Sequence, residues 1–187
     1  MRHVLGIVLA VLLTACATPR APVQVPAPII TQDTPWALQG RIAIKAGENS
    51  QSGQLQWQHR PGHESLLLLS PLGQGVARIV SDTDGVTLEI PNKPVRRAPD
   101  AESLTREALG VVLPLSGLSH WILARPDPLR PQEQTLDAAG RVAQIRQDGW
   151  VIDYPQYMSD TDARPRKLNI TRNDLEIRLV IDKWELE

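Results

Sequence analysis

The sequence predicts an α+β fold, a single antiparallel sheet with helices laid over one of its faces. Two observations carry this. Apolar and polar residues alternate through residues 36–90, recur at helical spacing over residues 100–123, and alternate again from residue 142 onward. Turn-forming residues punctuate both alternating stretches, with Asp148-Gly149 the strongest short-range hairpin signal. No internal repeat divides the chain, and the acidic and basic residues nearly cancel to a net charge of −1. That balance leaves no electrostatic footprint for nucleic acid.

Each element follows in order. Residues 36–45 place Trp36, Leu38, Ile42 and Ile44 on one face, the pattern of a half-buried antiparallel strand. A polar loop then leads to residues 53–58, which alternate around Leu55 and Trp57. The segment from His59 to His63 turns the chain into a strand over residues 66–70. Pro71-Leu72-Gly73-Gln74-Gly75 breaks it, and residues 76–80 resume. A turn at Asp82-Thr83-Asp84-Gly85 precedes residues 86–90, so the opening is a meander of five strands. Asp100 is placed to cap a helix through Leu104, Ala108 and Leu109, which Gly110 stops. Pro114 begins a second helix with Leu115, Leu118, Trp121 and Ile122 on one stripe; Pro126 and Pro128 end it. Residues 142–147 and 150–154 flank Asp148-Gly149, and residues 168–171 and 175–181 flank Arg172-Asn173-Asp174. Phenylalanine is absent, while five tryptophans are present. Their indole rings suit either a roomy apolar interior or an ordinary packed core.

Ahead of this domain, the chain opens with Met1-Arg2-His3 and an apolar run over residues 4–13, the layout of a secretory signal. About ten apolar residues fall short of the roughly twenty that span a bilayer. Leu13-Thr14-Ala15-Cys16 follows, and Cys16 is the only cysteine, with no disulfide partner in the chain. Small residues before a cysteine resemble the lipobox of bacterial lipoproteins. The resemblance implies cleavage of residues 1–15, diacylglycerol on the Cys16 thiol and an acyl chain on its new amine. Ala17, rather than Asp, implies sorting to the outer membrane. Residues 16–35 then form a lipidated N-terminus and a Pro-rich, semi-rigid linker, and the domain occupies residues 36–187.

Catalytic constellations are weak. His59 and His63 have a helical ligand spacing, but Pro61 and Gly62 lie between them and nothing completes a metal shell. Asp82-Thr83-Asp84-Gly85 lacks the later acidic ligand of a calcium loop. No Gly-x-Ser-x-Gly elbow or phosphate loop occurs. His120 reads as structural or surface, and Arg96-Arg97 and the cluster at residues 164–167 as solvated charge. Neither enzyme chemistry, a metal nor a cofactor beyond the Cys16 lipid is expected.

The motifs form an ordered set. Trp36-Ala37-Leu38-Gln39-Gly40-Arg41, Leu69-Ser70-Pro71-Leu72-Gly73-Gln74-Gly75, Leu113-Pro114-Leu115 with Trp121-Ile122, Asp148-Gly149-Trp150 with Tyr154 and Tyr157, and Ile181-Asp182-Lys183-Trp184 resemble the LolB family of outer-membrane lipoprotein receptors. The resemblance implies a strongly curved, unclosed barrel with helices over its concave face. It further implies an apolar cavity that accepts acyl chains of client lipoproteins from the periplasmic carrier LolA and passes them to outer-membrane lipid without a nucleotide. Leu38, Ile42, Ile44, Leu55, Trp57, Leu118, Trp121 and Ile122 are expected to line that cavity, although a solid core has the same periodicity. Leu72, between Pro71 and Gly73 at a strand break, is expected to project as a membrane-insertion loop. Ala124 and Arg164-Pro165-Arg166 depart from the pattern, which favours Gly at the first position and an apolar residue before the proline. A monomer is the simplest state. A tethering envelope lipoprotein and a lipocalin-like binder of free hydrophobic ligands are the competing classes.

Overall fold

The computed structural model describes residues 33–110, 112–159 and 162–186. The expected signal segment, Cys16 and the linker up to residue 32 lie outside the described residues. Eleven strands pair antiparallel in one unclosed sheet. In chain order these are β1 (Trp36–Ala46), β2 (Asn49–Arg60), β3 (His63–Leu69), β4 (Gly75–Asp82), β5 (Gly85–Glu89) and β6 (Arg96–Ala98). Two helices follow, α1 (Ala101–Leu109) and α2 (Leu115–Trp121). The chain then returns through β7 (Gln132–Leu136), β8 (Val142–Gln147), β9 (Trp150–Tyr157), β10 (Pro165–Arg172) and β11 (Leu175–Leu186). The sheet order is β6-β5-β4-β3-β2-β1-β11-β10-β9-β8-β7, so the first and last strands of the domain meet at the centre and the two edges come from its middle.

The alternation in sequence sets the faces. Leu38 pairs with Trp57 on one side and Trp184 on the other, and Ile42 with Gly53 and Leu179, so like faces stay aligned across the sheet. Between Gln39 and Gly40 the β1–β11 register slips by one residue. Glycine is required there, because a Cβ on Gly40 would sit 2.4 Å from the Val180 carbonyl oxygen. Asp148 and Gly149 both take positive φ (52° and 75°), the geometry of a two-residue hairpin turn that matches strand twist.

Curvature follows from what the helices reach. α1 packs on β5 and β6, while the last residue of α2, Trp121, bonds to Gln147 of β8 and lies under Tyr154 of β9. In a flat sheet the eight spacings from β5 to β8 would cover ~38 Å at ~4.8 Å each. Two helices packed side by side at ~10 Å cannot bridge that distance. The sheet is therefore curled around them, and its apolar face is the inner one.

Asp100 caps α1 as expected, its carboxylate accepting from the Ser103 backbone N–H at 2.7 Å. That bond, above all, holds the Asp100 carboxyl below its ordinary pKa. Gly110 closes the helix with φ 71°. Three differences from the sequence reading stand out. The meander has a sixth strand, β6, and the return has an extra strand, β7. Both are edge strands, and β7 (Gln-Glu-Gln-Thr-Leu) is exposed throughout, so neither has an apolar face to betray it. The second helix stops at Trp121, five residues before Pro126, and Pro114 stands at its cap rather than in its first turn.

Candidate functional site

The inner face is almost wholly apolar. Leu38, Leu55 and Trp57 from the sheet and Leu118, Trp121 and Ile122 from the helical segment are buried together in one cluster. Ile42 and Ile44 are half-buried and pack against its border, because their β2 partners, Gly53 and Gln51, offer little to cover them. At the end of the sheet where β1 begins, the Trp36 ring meets Trp57 and Trp184 edge-on, with centroids 5.4 and 5.5 Å away. It also stacks on His59 at 5.0 Å.

A few polar groups are set into this surface; the Trp36 indole N–H is buried without a hydrogen-bond partner among the described residues, while the following are paired. Glu64 of β3 accepts from the Trp57 indole N–H and meets Nδ1 of buried His59 at 2.6 Å. The Gln147 side-chain amide is buried and fully engaged. Its Oε1 accepts from Trp121 Nε1 at 3.0 Å and from the Asp127 backbone N–H at 2.9 Å. Its Nε2 donates to the carbonyls of Asp127 and Arg130. Tyr154 donates its hydroxyl to the Trp121 carbonyl at 2.7 Å, and burial drives its pKa well above the ordinary value. Tyr157 donates to Val142, and burial, aided by Asp137, pushes it up to about 12. Both tyrosines therefore stay protonated donors at neutral pH. Sequence reasoning missed Gln147 and Glu64. The signal for Gln147 was present: it shares the inward phase of Ile145, where a polar residue is out of place.

A cleft of about 410 Å³ opens where α2 approaches the β8–β9 turn, lined by Ser116, Gly117, Trp121, Arg130, Gln147 and Trp150 among others. His120 is half-buried on α2. Burial lowers its pKa below 6.5, with Asp127 and Glu64 opposing and His59 reinforcing the shift. Among the described residues no group of three His, Cys, Asp or Glu is placed to hold a metal ion, and no helix is long and apolar enough to cross a membrane.

Leu72 stands apart from this interior with 89% of its surface exposed. Gly73 takes φ 83° and donates to the Ser70 carbonyl at 2.9 Å. Ser70 and Gln74 close the loop at 2.8 Å. Pro71 and Leu72 are thus the tip of a tight turn, and Pro71 is anchored by the Gln54 side-chain amide. The two unusual positions also find explanations. Ala124 has φ 54°, a left-handed conformation that favours glycine. Arg164 is held by a forked ion pair to Asp162, which takes the place of apolar packing before Pro165.

An unclosed antiparallel half-barrel, apolar within and roofed by two short helices, defines a class of molecule shared with solved structures. A LolA-superfamily protein from Nitrosomonas europaea has this fold, with a TM-score of 0.53 at 11% identity, covering 85% of this chain and 89% of that one. Within that class the chain belongs to the LolB family: the model of outer membrane lipoprotein LolB matches residues 34–184. The outer-membrane lipoprotein LolB of Thiobacillus denitrificans is 55% identical over 177 residues, covering 95% of this chain and 94% of the relative. The LolB of an Azoarcus species is 38% identical, over 97% and 94%.

Proposed function

We propose that this chain is the outer-membrane receptor that accepts lipoproteins from the periplasmic carrier LolA and inserts them into the outer membrane. In this reading residues 1–15 are removed and Cys16 carries diacylglycerol and an N-acyl chain. The domain works as a monomer on the periplasmic face. In a LolB-family chain, the observation that carries the reading is the continuous apolar inner face, roofed by two short helices instead of a second sheet. Acyl chains of client lipoproteins would enter beneath α2, against Leu38, Ile42, Ile44, Leu55, Trp57, Leu118, Trp121 and Ile122.

The work needs apolar surface and a difference in affinity, with no nucleophile. Each methylene exposed to water costs about 0.8 kcal/mol, so a chain of ~15 methylenes would cost roughly 12 kcal/mol in transit through water. Cargo therefore passes mouth to mouth. A preference of ~1.4 kcal/mol for the receptor over the carrier directs it tenfold forward.

Leu72 supplies the release step by dipping into the bilayer. Leu72→Glu in the lipidated chain should keep folding and cargo uptake while slowing insertion into vesicles roughly tenfold or more. The assay follows a client lipoprotein from its complex with LolA to the receptor and then to membrane. A chain that takes no cargo from the carrier and holds no acyl chain when purified would be a tethering lipoprotein instead. One that takes free lipid but no lipoprotein would be a lipocalin-like binder.

A further inference from the structure

A second leucine projects as far as Leu72. Leu129 is 91% exposed, in the segment Pro126-Asp127-Pro128-Leu129-Arg130-Pro131 between α2 and β7. This loop is stiff. Three of its six residues are prolines, and the Asp127 carboxylate accepts from the Leu129 backbone N–H at 2.9 Å. The buried Gln147 amide grips Asp127 and Arg130 on either side of the leucine. A stiff loop presents an apolar side chain with little further entropy to lose.

Strand direction places the two leucines on one rim. Leu72 lies where β3 ends and β4 begins. The alternation across the antiparallel sheet puts the start of β7, which Leu129 precedes, at that same end. β3 and β7 sit seven places apart in the sheet, so the leucines stand on opposite walls of the half-barrel. Val95, 57% exposed between β5 and β6, lies on this rim too.

We infer that Leu129 is a second membrane contact, so that the rim bearing Leu72 and Leu129, with the cleft below it, rests on the lipid surface. The inference rests on the proposed anchor at Cys16. β1 starts at the opposite rim, so an anchored chain must pass the full height of the barrel to bring the leucines to the bilayer. β1, with 11 residues, spans ~36 Å at ~3.3 Å per residue. The segment of residues 17–35 reaches ~60 Å at ~3.1 Å per residue, which is enough. The contact is apolar in kind. At Leu129 the flanking Arg130 is already neutralised by Asp148 at 2.7 Å and Asp127 at 3.3 Å, so contact at this position should need no anionic lipid and should resist salt.

The test uses the full lipidated chain in phosphatidylethanolamine–phosphatidylcholine vesicles containing a nitroxide-labelled lipid. Leu129→Cys, Leu72→Cys and Leu136→Cys each carry one environment-sensitive dye, Leu136 being on the far rim. Membrane quenching at positions 72 and 129, unchanged by high salt and absent at 136, is the expected result. Leu129→Glu should in addition slow vesicle insertion of cargo roughly tenfold, with uptake from the carrier intact. A dye at 129 that stays in water while 72 is quenched overturns the inference, as does equal quenching at 136. So does a signal at 129 that answers only to added carrier, which would make the loop a protein-docking knob. Failure of the unsubstituted chain to float with vesicles would strike the anchor at Cys16 instead, separating the two readings.

Discussion

The wall of β1, β2, β10 and β11 and the lid of α1 and α2 are held in different ways. β1 is paired along its whole length on both sides, from Trp36 to Ala46, and its inner residues Trp36 and Leu38 are locked in the core. The lid has two short helices fastened at named points. Thr105 accepts from the Leu113 backbone N–H at 3.0 Å, Gln147 holds Trp121, and Tyr154 holds the Trp121 carbonyl. Burial holds both, but the wall also has its continuous strand ladders, whereas a handful of directional bonds sets where the lid lies. Changes in the wall should therefore read out as global stability, and changes at the fastenings as lid position.

The largest effect is expected in the wall. Trp57→Ala opens a cavity and leaves Glu64 without its indole donor, and should cost about 3–5 kcal/mol in urea unfolding. A loss below ~1 kcal/mol would mean the wall is not the packed unit described. Next comes the main fastening. Gln147→Leu leaves the Trp121 and Asp127 N–H groups without acceptors and should cost about 1–3 kcal/mol. Hydrogen exchange should rise in α2 and the loop at residues 125–131 and stay slow in β1; an equal rise in both would erase the distinction. Ala124→Gly relieves a left-handed alanine beside the lid and should stabilise by ~0.5 kcal/mol, net of the extra freedom of unfolded glycine, visible as a small rise in Tm.

The smallest effect is the pH response of the lid. Burial lowers the His120 pKa in the folded chain, so the unfolded chain binds the proton more readily. Stability contributed by neutral His120 is then present above about pH 6.5 and lost as pH falls below it. His120→Gln should flatten the stability profile between pH 5 and 7. A profile that stays equally steep would assign the effect elsewhere.

The wall was legible in the sequence because its physics is periodic. Trp36, Leu38, Ile42 and Ile44 announce a face by alternation alone, and Asp148-Gly149 announces a turn because few other pairs tolerate its positive φ angles. The exposure of Leu72 was legible for a related reason, since Pro-Leu-Gly at a strand break favours a tight turn with the leucine at its tip. The lid fastenings were not. Gln147 matters only because the chain brings Trp121 and Asp127 to it from 26 and 20 residues away. Leu129 lay among prolines that read merely as the end of a helix, while β6 and β7 lack the apolar stripe that marks a strand.

The sheet stops short of closing between β6 and β7, and that gap has a mechanical meaning. A closed barrel can widen only by breaking a ladder of hydrogen bonds along some strand pair. Here the seam carries none, and its borders are a three-residue strand with two arginines and a polar five-residue strand, both unsuited to pairing with another chain. Widening the half-barrel there would work against core packing and the lid fastenings at Gln147 and Tyr154, with no strand ladder to break. If acyl chains enter as proposed, opening at this seam is the direction that would leave every strand pairing intact.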